Sequence, residues 1–453
     1  MSNSSSQYFI DKVELTADRL SGSNISSFNL AGSVAELNIY ENIELPYLTG
    51  SIALVDDVAF RATVGIKGSE RLLISLRAGD DKAPVINKRF MITGIETNIS
   101  VNERADVHIL TLIEEHAYLS AVSKFSESFT GIPEKIIETI LSSHLGKRVA
   151  YYANKPAQSR MKVNIPYWNP LQAVDWIRDR MAASNGSPFF TYSALRDDDI
   201  HLEDLDSLMK FDAWNKNFTY SYSQDPHSLV DGTDPKRLLF QVKSYKASKI
   251  ESTLRLAQAG AIGSEFQIRD VTSGSNISDA FHNSGDTVNR FINSITQGIT
   301  TSTIGFDTSL EIGTEKRGTK NIGAYASKVF SSVVASKQFY EIDERTLIAG
   351  YHDENNQNQL YKLKIKSAAL RAILRNNVFE ITVPGTPYLV NEEIGVGSNI
   401  NLRYVKPTQH PLNRIQADKD RSGKFLIYKI RHTFTDGIHD AHMEVVKLAD
   451  EEV

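Results

Sequence analysis

Two segments near opposite ends of the chain share one pattern of apolar residues, and this repeat decides the fold. The first reads Phe90-Met-Ile-Thr-Gly-Ile-Glu-Thr-Asn-Ile-Ser100, then Val107-His-Ile-Leu-Thr-Leu-Ile-Glu-Glu115. The second reads Phe425-Leu-Ile-Tyr-Lys-Ile-Arg-His-Thr-Phe-Thr435, then Met443-Glu-Val-Val-Lys-Leu-Ala-Asp-Glu451. Two β runs joined by a short polar connection predict a hairpin in each segment. Apolar positions match through both strands, with a slippage of about one residue in the turn.

The similarity extends upstream of both hairpins. Lys67-Gly68-Ser69 precedes a strand at Leu72, as Val396-Gly397-Ser398 precedes one at Ile400, and Gly50 to Val55 resembles Val378 to Val383. Chance likeness between two hairpins is the alternative, but elements in the same order at similar spacing favour duplication. Similar domains can occupy equivalent places in a ring, so a trimer would present pseudo-sixfold symmetry.

Local patterns divide the rest of the chain. Helical spacing follows Pro133 and Asn169-Pro170, and an acidic turn joins two strands near residue 198. Residues 250–340 have thin apolar periodicity, which favours an insertion that becomes ordered against a partner. We therefore predict a β-rich α+β fold with two similar β domains. The predicted segments are a first β domain at 1–125, a small α+β domain of two helices and a hairpin at 126–210, the first part of the second β domain at 211–250, the insertion at 251–340 and the remainder of the second β domain at 341–453.

Composition excludes several classes of protein. The 453 residues carry 50 basic and 55 acidic side chains, a formal charge of -5, which argues against a dedicated nucleic-acid binder. The absence of cysteine removes disulfide scaffolds, thiolate zinc sites and cysteine nucleophiles. The N-terminal sequence lacks the pattern of a secretory signal, and no apolar stretch is long enough to span a bilayer.

Four groups of residues suggest chemistry, and each has a structural alternative that we prefer. Gly395-Val-Gly397 lacks the lysine and the following helix of a phosphate-binding loop. A calcium site or a solvated turn could be formed by the acidic residues Asp197, Asp198, Asp199, Glu203, Asp204 and Asp206. A zinc site or a set of packed rings could be formed by the histidines His432, His439 and His442. A surface for single-stranded nucleic acid, or a protected edge strand, could be formed by Lys236, Arg237, Lys243, Lys246 and Lys249 with Phe240 and Tyr245. We therefore assign no catalytic, cofactor or metal-binding residues.

The order of the motifs resembles one known family. The matching stretches are Tyr47 to Asp56 with Gly68-Ser-Glu70, Ile165-Pro-Tyr-Trp-Asn-Pro170 through Tyr192, Phe379 to Leu389, and Ser422 to Phe434. Together they resemble the baseplate hub protein of contractile-tailed bacteriophages, which is related to the hub part of type VI secretion spike proteins. No single motif is diagnostic, and residues 250–340 depart most from the pattern.

This resemblance implies two tail-tube-like β-barrel domains and a homotrimer that joins the pseudo-sixfold tail tube to the threefold central spike. It further implies contacts with a tail tube or tube-initiator protein and baseplate wedge proteins, and a lumen for DNA passage. The expected location is the virion, after assembly in the host cytoplasm, without membrane insertion. The alternatives are a tail-associated receptor- or carbohydrate-binding protein, a type VI secretion-like spike hub, and a cell-wall hydrolase.

Overall fold

The structure is a computed structural model. It describes residues 7–16, 27–56, 66–78 except 69, 85–152 except 103–104, 161–223 except 216–218, 239–247, 253–282 except 271–273 and 275, 311–334 except 317 and 326, 347–348, 357–386 except 377, 389, 394–405, 418 and 421–449.

The N-terminal β module is an antiparallel array in the order β3-β4-β7-β6-β5-β1-β2. Its strands are β1 (Tyr8–Thr16), β2 (Ser27–Asn29), β3 (Val34–Asn42), β4 (Thr49–Asp56), β5 (Arg71–Ala78), β6 (Ile86–Asn102) and β7 (Ala105–Glu114). Alternate residues of a strand point to the same face. In β4 the buried face holds Gly50, Ile52 and Leu54, of which Ile52 and Leu54 join a core shared with the other strands of this module.

A small α+β unit follows the first module. It comprises α1 (Glu115–Val122), β8 (Phe125–Gly131), α2 (Pro133–Leu145), β9 (Val149–Tyr152), β10 (Met161–Trp168), α3 (Pro170–Arg178), β11 (Phe189–Ser193), β12 (Ile200–Asp204) and α4 (Leu205–Lys210). Pro133 opens α2, and Gly146 ends it with φ 63°. The two predicted helices pack on one apolar core, and β11 and β12 form the predicted hairpin, so these elements are confirmed.

The remaining elements belong to the second β module and the insertion. They are β13 (Tyr220–Ser223), β14 (Ser244–Ala247), α5 (Thr253–Gln258), β15 (Gly263–Asp270), β16 (Asn276–His282), β17 (Glu311–Thr314), β18 (Gly318–Asn321), β19 (Lys328–Val334), β20 (Leu347–Ile348), α6 (Gln357–Asn376), β21 (Val378–Pro384), β22 (Asn399–Val405), β23 (Gly423–Thr435) and β24 (Ile438–Ala449). The sequence analysis assigned no strands to the insertion, but β16, β15 and β19 form a separate small sheet there. Its ordering against a partner stays a prediction.

The two β modules repeat the same strand connections. The order β3-β4-β7-β6-β5 in the first module corresponds to β14-β21-β24-β23-β22 in the second, and every neighbouring pair in both series is antiparallel. Outside this common part they differ, because β1 pairs antiparallel with β5 whereas β13 pairs parallel with β22. The described strands of both modules lie in one 13-stranded sheet, and the β-rich α+β fold class is confirmed.

Local irregularities repeat as well. The register shifts between Ile92 and Gly94 against β7, and it shifts between Ile427 and Lys429 against β24. Leu72 lies opposite Phe90, and Ile400 lies opposite Phe425. A bulge inserts one extra residue and bends its strand, so the same bulge in both modules preserves the same bend.

The registers also correct the sequence alignment. Glu114 lies opposite Phe90 and Lys447 opposite Phe425, so Glu114, not Asp450, corresponds to Lys447. The first hairpin therefore holds two more residues than the second between these anchors, rather than differing by about one. In β4 and β21, Thr49 corresponds to Val378, because they pair with equivalent residues, and this shifts the predicted match of Gly50 to Val378 by one. A shift of one residue exchanges the two faces of a strand, and apolar patterns locate it poorly where both faces are partly buried.

No helix in the described part of the chain is both long enough and apolar enough to cross a membrane.

Candidate functional site

The seam between the two β modules is the candidate functional site. Residues 36–42 of β3 pair antiparallel with residues 429–435 of β23, so the modules are joined edge to edge. β24 pairs with the other edge of β23 along the strand, whereas β22 lies on the same edge as β3 and pairs only with the first part of β23. The long strand β23 thus holds its own module together and binds the other one.

A buried carboxylate lies at this seam. Glu41 Oε1 accepts a hydrogen bond from His432 Nε2 at 3.1 Å and one from the Leu195 backbone N–H at 2.8 Å. Its Oε2 accepts from the Val396 N–H at 2.9 Å. Burial raises the pKa of Glu41, but the bond from His432 and the two N–H donors outweigh burial and lower it below its ordinary value. One side chain therefore connects β3, β23, the end of the α+β hairpin and the loop before β22.

The polar network continues from His432 to a second histidine of the same module. His432 Nδ1 lies 3.1 Å from His439 Nε2, and both rings are buried. Burial lowers the pKa of His439 well below its ordinary value, and the nearby charges of His432 and Lys243 lower it further, so His439 is neutral at pH 7. The chain Glu41–His432–His439 is a buried polar network in an otherwise apolar region.

A second cluster ties the seam to the long helix α6. Arg375 binds Glu44 in a bidentate pair, with Nε–Oε1 and Nη2–Oε2 distances of 2.9 and 2.6 Å. Tyr428 on β23 donates its hydroxyl to Glu44 as well. Burial raises the pKa of Glu44, but the bond from Arg375 and the charges around it lower it overall. Bidentate Arg–carboxylate pairs fix geometry as well as charge.

The α+β unit is tied to the first module by a buried lysine. Lys88 on β6 donates to the backbone oxygens of Ala194 and Asp197, and its Nζ lies 3.1 Å from Asp198 Oδ1. Beside it lies a cleft of about 540 Å³ lined by Val85–Lys88 and Leu195–Asp198. Both the seam and this contact hold three parts of the chain in one arrangement.

The residues that the sequence singled out are largely held by neighbouring side chains. Asp197 contacts His201 at 3.0 Å, Asp198 contacts Lys88, and Asp199 forms an ion pair with Arg148 at 2.6 Å. Glu203 accepts from Tyr192, Asp204 caps α4 through Ser207, and Asp206 pairs with Lys210. Among the described residues, no group of three or more acidic or histidine side chains has the arrangement of a metal site.

The candidate histidine and basic groups are also not brought together as binding sites among the described residues. His442 lies opposite Arg431 whereas His432 lies opposite Ala441, so His442 points to the other face and contacts Thr382 at 3.0 Å. Lys243 pairs with Asp440 and Lys246 with Glu380. Lys236, Arg237 and Lys249 lie outside the described residues.

The glycine-rich stretch before β22 is a structural turn. Val396 donates its N–H to Glu41, and Gly397 has φ 83°. In the similar turn before β5 of the first module, Gly68 has φ 94°, and backbones in this region favour glycine. Its role is to position backbone donors for the seam.

Glu41, Glu44, Arg375 and Lys88 were missed by the sequence analysis. One signal was available for Glu41, because it interrupts an alternating stripe of buried apolar residues formed by Leu37, Ile39 and Ile43. A carboxylate in such a stripe requires buried donors. For Arg375, no local pattern indicates that a helix 331 residues away reaches Glu44.

Comparison with known proteins supports the fold. The tail protein from Neisseria meningitidis MC58 superposes with a TM-score of 0.52 at 10% identity, over 97% of both chains. The 43 kDa tail protein of prophage MuSo2 from Shewanella oneidensis gives 0.49 at 10% identity, over 97% of this chain and 99% of that one. An E. coli component of the type VI secretion system gives 0.38 at 8% identity, over 93% of this chain and 76% of that one.

No family model and no curated protein sequence matches the chain. The resemblance drawn from the sequence is nevertheless confirmed at the level of fold, because the Neisseria structure on which the chain superposes is a tail protein. The chain shares the overall fold of the Neisseria tail protein along nearly its whole length.

Proposed function

We propose that this protein is a structural component of a phage tail, the homotrimeric central hub of a contractile-tail baseplate. In this role it links the pseudo-sixfold tail tube to the threefold central spike and surrounds a lumen through which DNA passes. Its action is mechanical and needs no catalytic residue. It resides in the virion and is assembled in the cytoplasm of the bacterial host.

The duplicated β module joined at the β3–β23 seam is the observation that carries this proposal. A chain with two equivalent modules side by side provides six modules in a trimer, which matches a sixfold tube on one side and a threefold spike on the other. The fold shared with the Neisseria tail protein supports the same assignment. The partners are accordingly a second and third copy of the chain, a tail tube or tube-initiator protein, the central spike and baseplate wedge proteins.

The contacts at the seam and beside it suit a protein that transmits mechanical force. Glu41, Glu44 and Lys88 each connect parts of the chain that are far apart in sequence. Buried polar contacts of this kind fix one relative arrangement, because each unmatched alternative leaves a buried charge without a partner.

The test is the mass of the purified chain in solution, by light scattering after size exclusion, with negative-stain images of the same peak. We expect a trimer that forms a ring with sixfold features and a central opening. A monomer at all concentrations would contradict the proposal and favour a receptor- or carbohydrate-binding tail protein. A trimer without a lumen would favour an adhesin.

Two further measurements separate the remaining alternatives. Immunogold labelling of purified phage particles should place the chain at the distal end of the tail tube, whereas absence from particles would favour a type VI secretion-like spike hub. A peptidoglycan clearing assay should show no turnover. Turnover that disappears on substituting one carboxylate would identify a cell-wall hydrolase instead.

A further inference from the structure

The strand β10 contains a bulge with a strained backbone. Its register against β8 shifts between Ile165 and Trp168, so Pro166 and Tyr167 lie together opposite one residue of β8. Tyr167 has φ 56°, in the left-handed region that glycine and asparagine adopt readily and other residues adopt rarely. The backbone at this position therefore disfavours a tyrosine.

Neither a tight turn nor burial explains this tyrosine. Asp436, the other non-glycine residue with positive φ in the described part of the chain, lies with Gly437 in the two-residue turn between β23 and β24, where positive φ is required. Tyr167 lies inside β10 instead, and it is 68% exposed. Strained residues cluster at binding and active sites, so this residue is a candidate for contact with a partner.

The bulge is fixed against the C-terminal end of α1. Asn169 Nδ2 donates hydrogen bonds to the carbonyl oxygens of Ser120 and Ala121, each at 3.0 Å. Lys124 Nζ, just beyond α1, lies 5.5 Å from the centroid of the Tyr167 ring. The tyrosine is thus held next to the residues that end α1.

Two exposed aliphatic side chains lie at the same end of α1. Val122 is 68% exposed and Leu119 is 44% exposed. They are three residues apart, so they lie on one side of the helix. We call Leu119, Val122, Lys124 and Tyr167 the α1–β10 patch. Clustered exposed apolar side chains mark interaction sites, and tyrosine often contributes much of the binding energy.

The charge in this patch indicates what it binds. Among the described residues Lys124 forms no ion pair, while Glu115 pairs with Arg71 and Glu127 with His144. The patch therefore presents an ammonium group beside aliphatic and aromatic surface, which complements a carboxylate beside an apolar side chain. Its aliphatic groups offer no hydrogen bonds to sugar hydroxyls, so a protein segment fits better than a glycan.

We propose that the α1–β10 patch docks a segment of a different protein, one that places an apolar side chain next to a carboxylate. The apolar side chain packs on Tyr167 and Val122, and the carboxylate pairs with Lys124. Docking removes exposed apolar area from water, which offsets the strain at Tyr167. The inference goes beyond the proposed hub function and does not depend on how many copies of the chain assemble.

Site-specific photo-crosslinking in the bacterial cells that make the full-length chain tests this docking. The probe is p-benzoylphenylalanine in place of Val122, and the control probe replaces Ile132, which is 45% exposed in the same α+β unit. Ile132 follows Gly131, at the opposite end of β8 from the bulge. Mass spectrometry of the covalent product identifies the bound segment.

We expect the probe at Val122 to give one covalent product with a different protein, roughly tenfold more than the probe at Ile132. The crosslinked segment should contain Asp or Glu beside an apolar residue. Lys124→Glu should reduce the product roughly tenfold, whereas Lys135→Glu, the same charge change at an exposed lysine of α2, should not. Replacing the carboxylate of the bound segment with lysine should restore the product in the Lys124→Glu chain.

Tyr167→Asn separates a binding role from a structural one. Because asparagine tolerates positive φ, we expect the midpoint of thermal unfolding to stay the same or to rise, while the crosslinked product falls roughly tenfold. A lower midpoint together with an unchanged product would assign Tyr167 to the fold and overturn the inference. If Tyr167→Asn unfolds, the exchange of charges at Lys124 still decides the question.

Three results of the crosslinking contradict the inference. They are no product at Val122 above that at Ile132, a product with a glycan, and a bound segment without a carboxylate. A product only with a second copy of this chain also contradicts it, and shows a contact between subunits instead. None of these results alters the mass and the ring expected of the hub, so the two proposals fail separately.

Discussion

Glu41 Oε1 and His432 Nε2 lie 3.1 Å apart in the middle of the sheet, although 391 residues separate them in sequence. Each belongs to a different copy of the duplicated β module. Their contact joins the two modules, and both side chains are fully buried. Breaking it should therefore cost far more than breaking a surface pair.

We expect Glu41→Gln to lower the free energy of unfolding by about 3 kcal/mol, because it leaves His432 and two backbone donors without a charged acceptor. Urea denaturation at pH 7 measures this. Glu36→Gln on the same strand is the control, since that side chain is exposed, and it should change stability by less than about 1 kcal/mol. Equal effects of the two substitutions would contradict the assigned role of Glu41.

Arg375→Lys should weaken the link between α6 and the seam. Lysine keeps the charge but loses the bidentate geometry on Glu44, whose side chain is only 11% exposed. We expect a loss of about 1–2 kcal/mol by denaturation, a value reduced because Arg375 itself is half exposed. Lys246→Ala removes the exposed pair with Glu380 and should cost about 0.5 kcal/mol or less. Full stability in Arg375→Lys would show that charge alone holds the helix.

Stability should depend on pH through His439. Its pKa in the folded protein is far below the ordinary value, so between the two values only the unfolded chain binds the proton. The contribution of His439 to the free energy of unfolding is fully present above about pH 6.5. It decreases as the pH falls below that value, by up to about 1.4 kcal/mol per pH unit. The stability difference between the unmodified chain and His439→Gln should therefore narrow from pH 7 to pH 5.5. Parallel pH profiles would contradict a neutral His439.

The glycines in the two similar turns, Gly397 before β22 and Gly68 before β5, should respond differently to alanine. Gly397→Ala and Gly68→Ala both place a Cβ on a backbone with positive φ, which costs about 1–2 kcal/mol. At Gly397 the Cβ also meets the hydroxyl of the buried Tyr192, whereas at Gly68 it meets nothing within 4 Å. We expect Gly397→Ala to cost about 1–3 kcal/mol more than Gly68→Ala by thermal unfolding. A larger loss at Gly68 would contradict this packing difference.

Local sequence patterns were sufficient to predict the duplication, the helices that begin at Pro133 and Pro170, and the packed position of His432. They were insufficient wherever two distant segments meet. Nothing in the sequence around Tyr40 indicates pairing with Arg431, because strand edges are satisfied by backbone groups that every residue carries. The predicted alignment of the two repeats was wrong in its exact register for the same reason.

The insertion shows another limit of predicting structure from sequence patterns. Its strands β15 and β19 lie in a stretch rich in small polar residues, where apolar alternation is too weak to distinguish a strand from a loop. For Glu41, the interrupted apolar stripe predicts burial, but the donors come from Leu195 and Val396, in segments remote from β3. Sequence alone therefore indicates the need for partners without identifying them.

The interleaved order of the second module has a consequence for how the chain is made. All described strands of the first module precede residue 115 in the chain, so that module can fold early during synthesis. The second module cannot, because β14 must wait for β21 and β3 must wait for β23, near the end of the chain. Throughout this interval the edge of β3 is open to a nascent neighbour on the same messenger. Slow translation before β21 would prolong that exposure, and misassembled chains linked through β3 are the expected product of premature release.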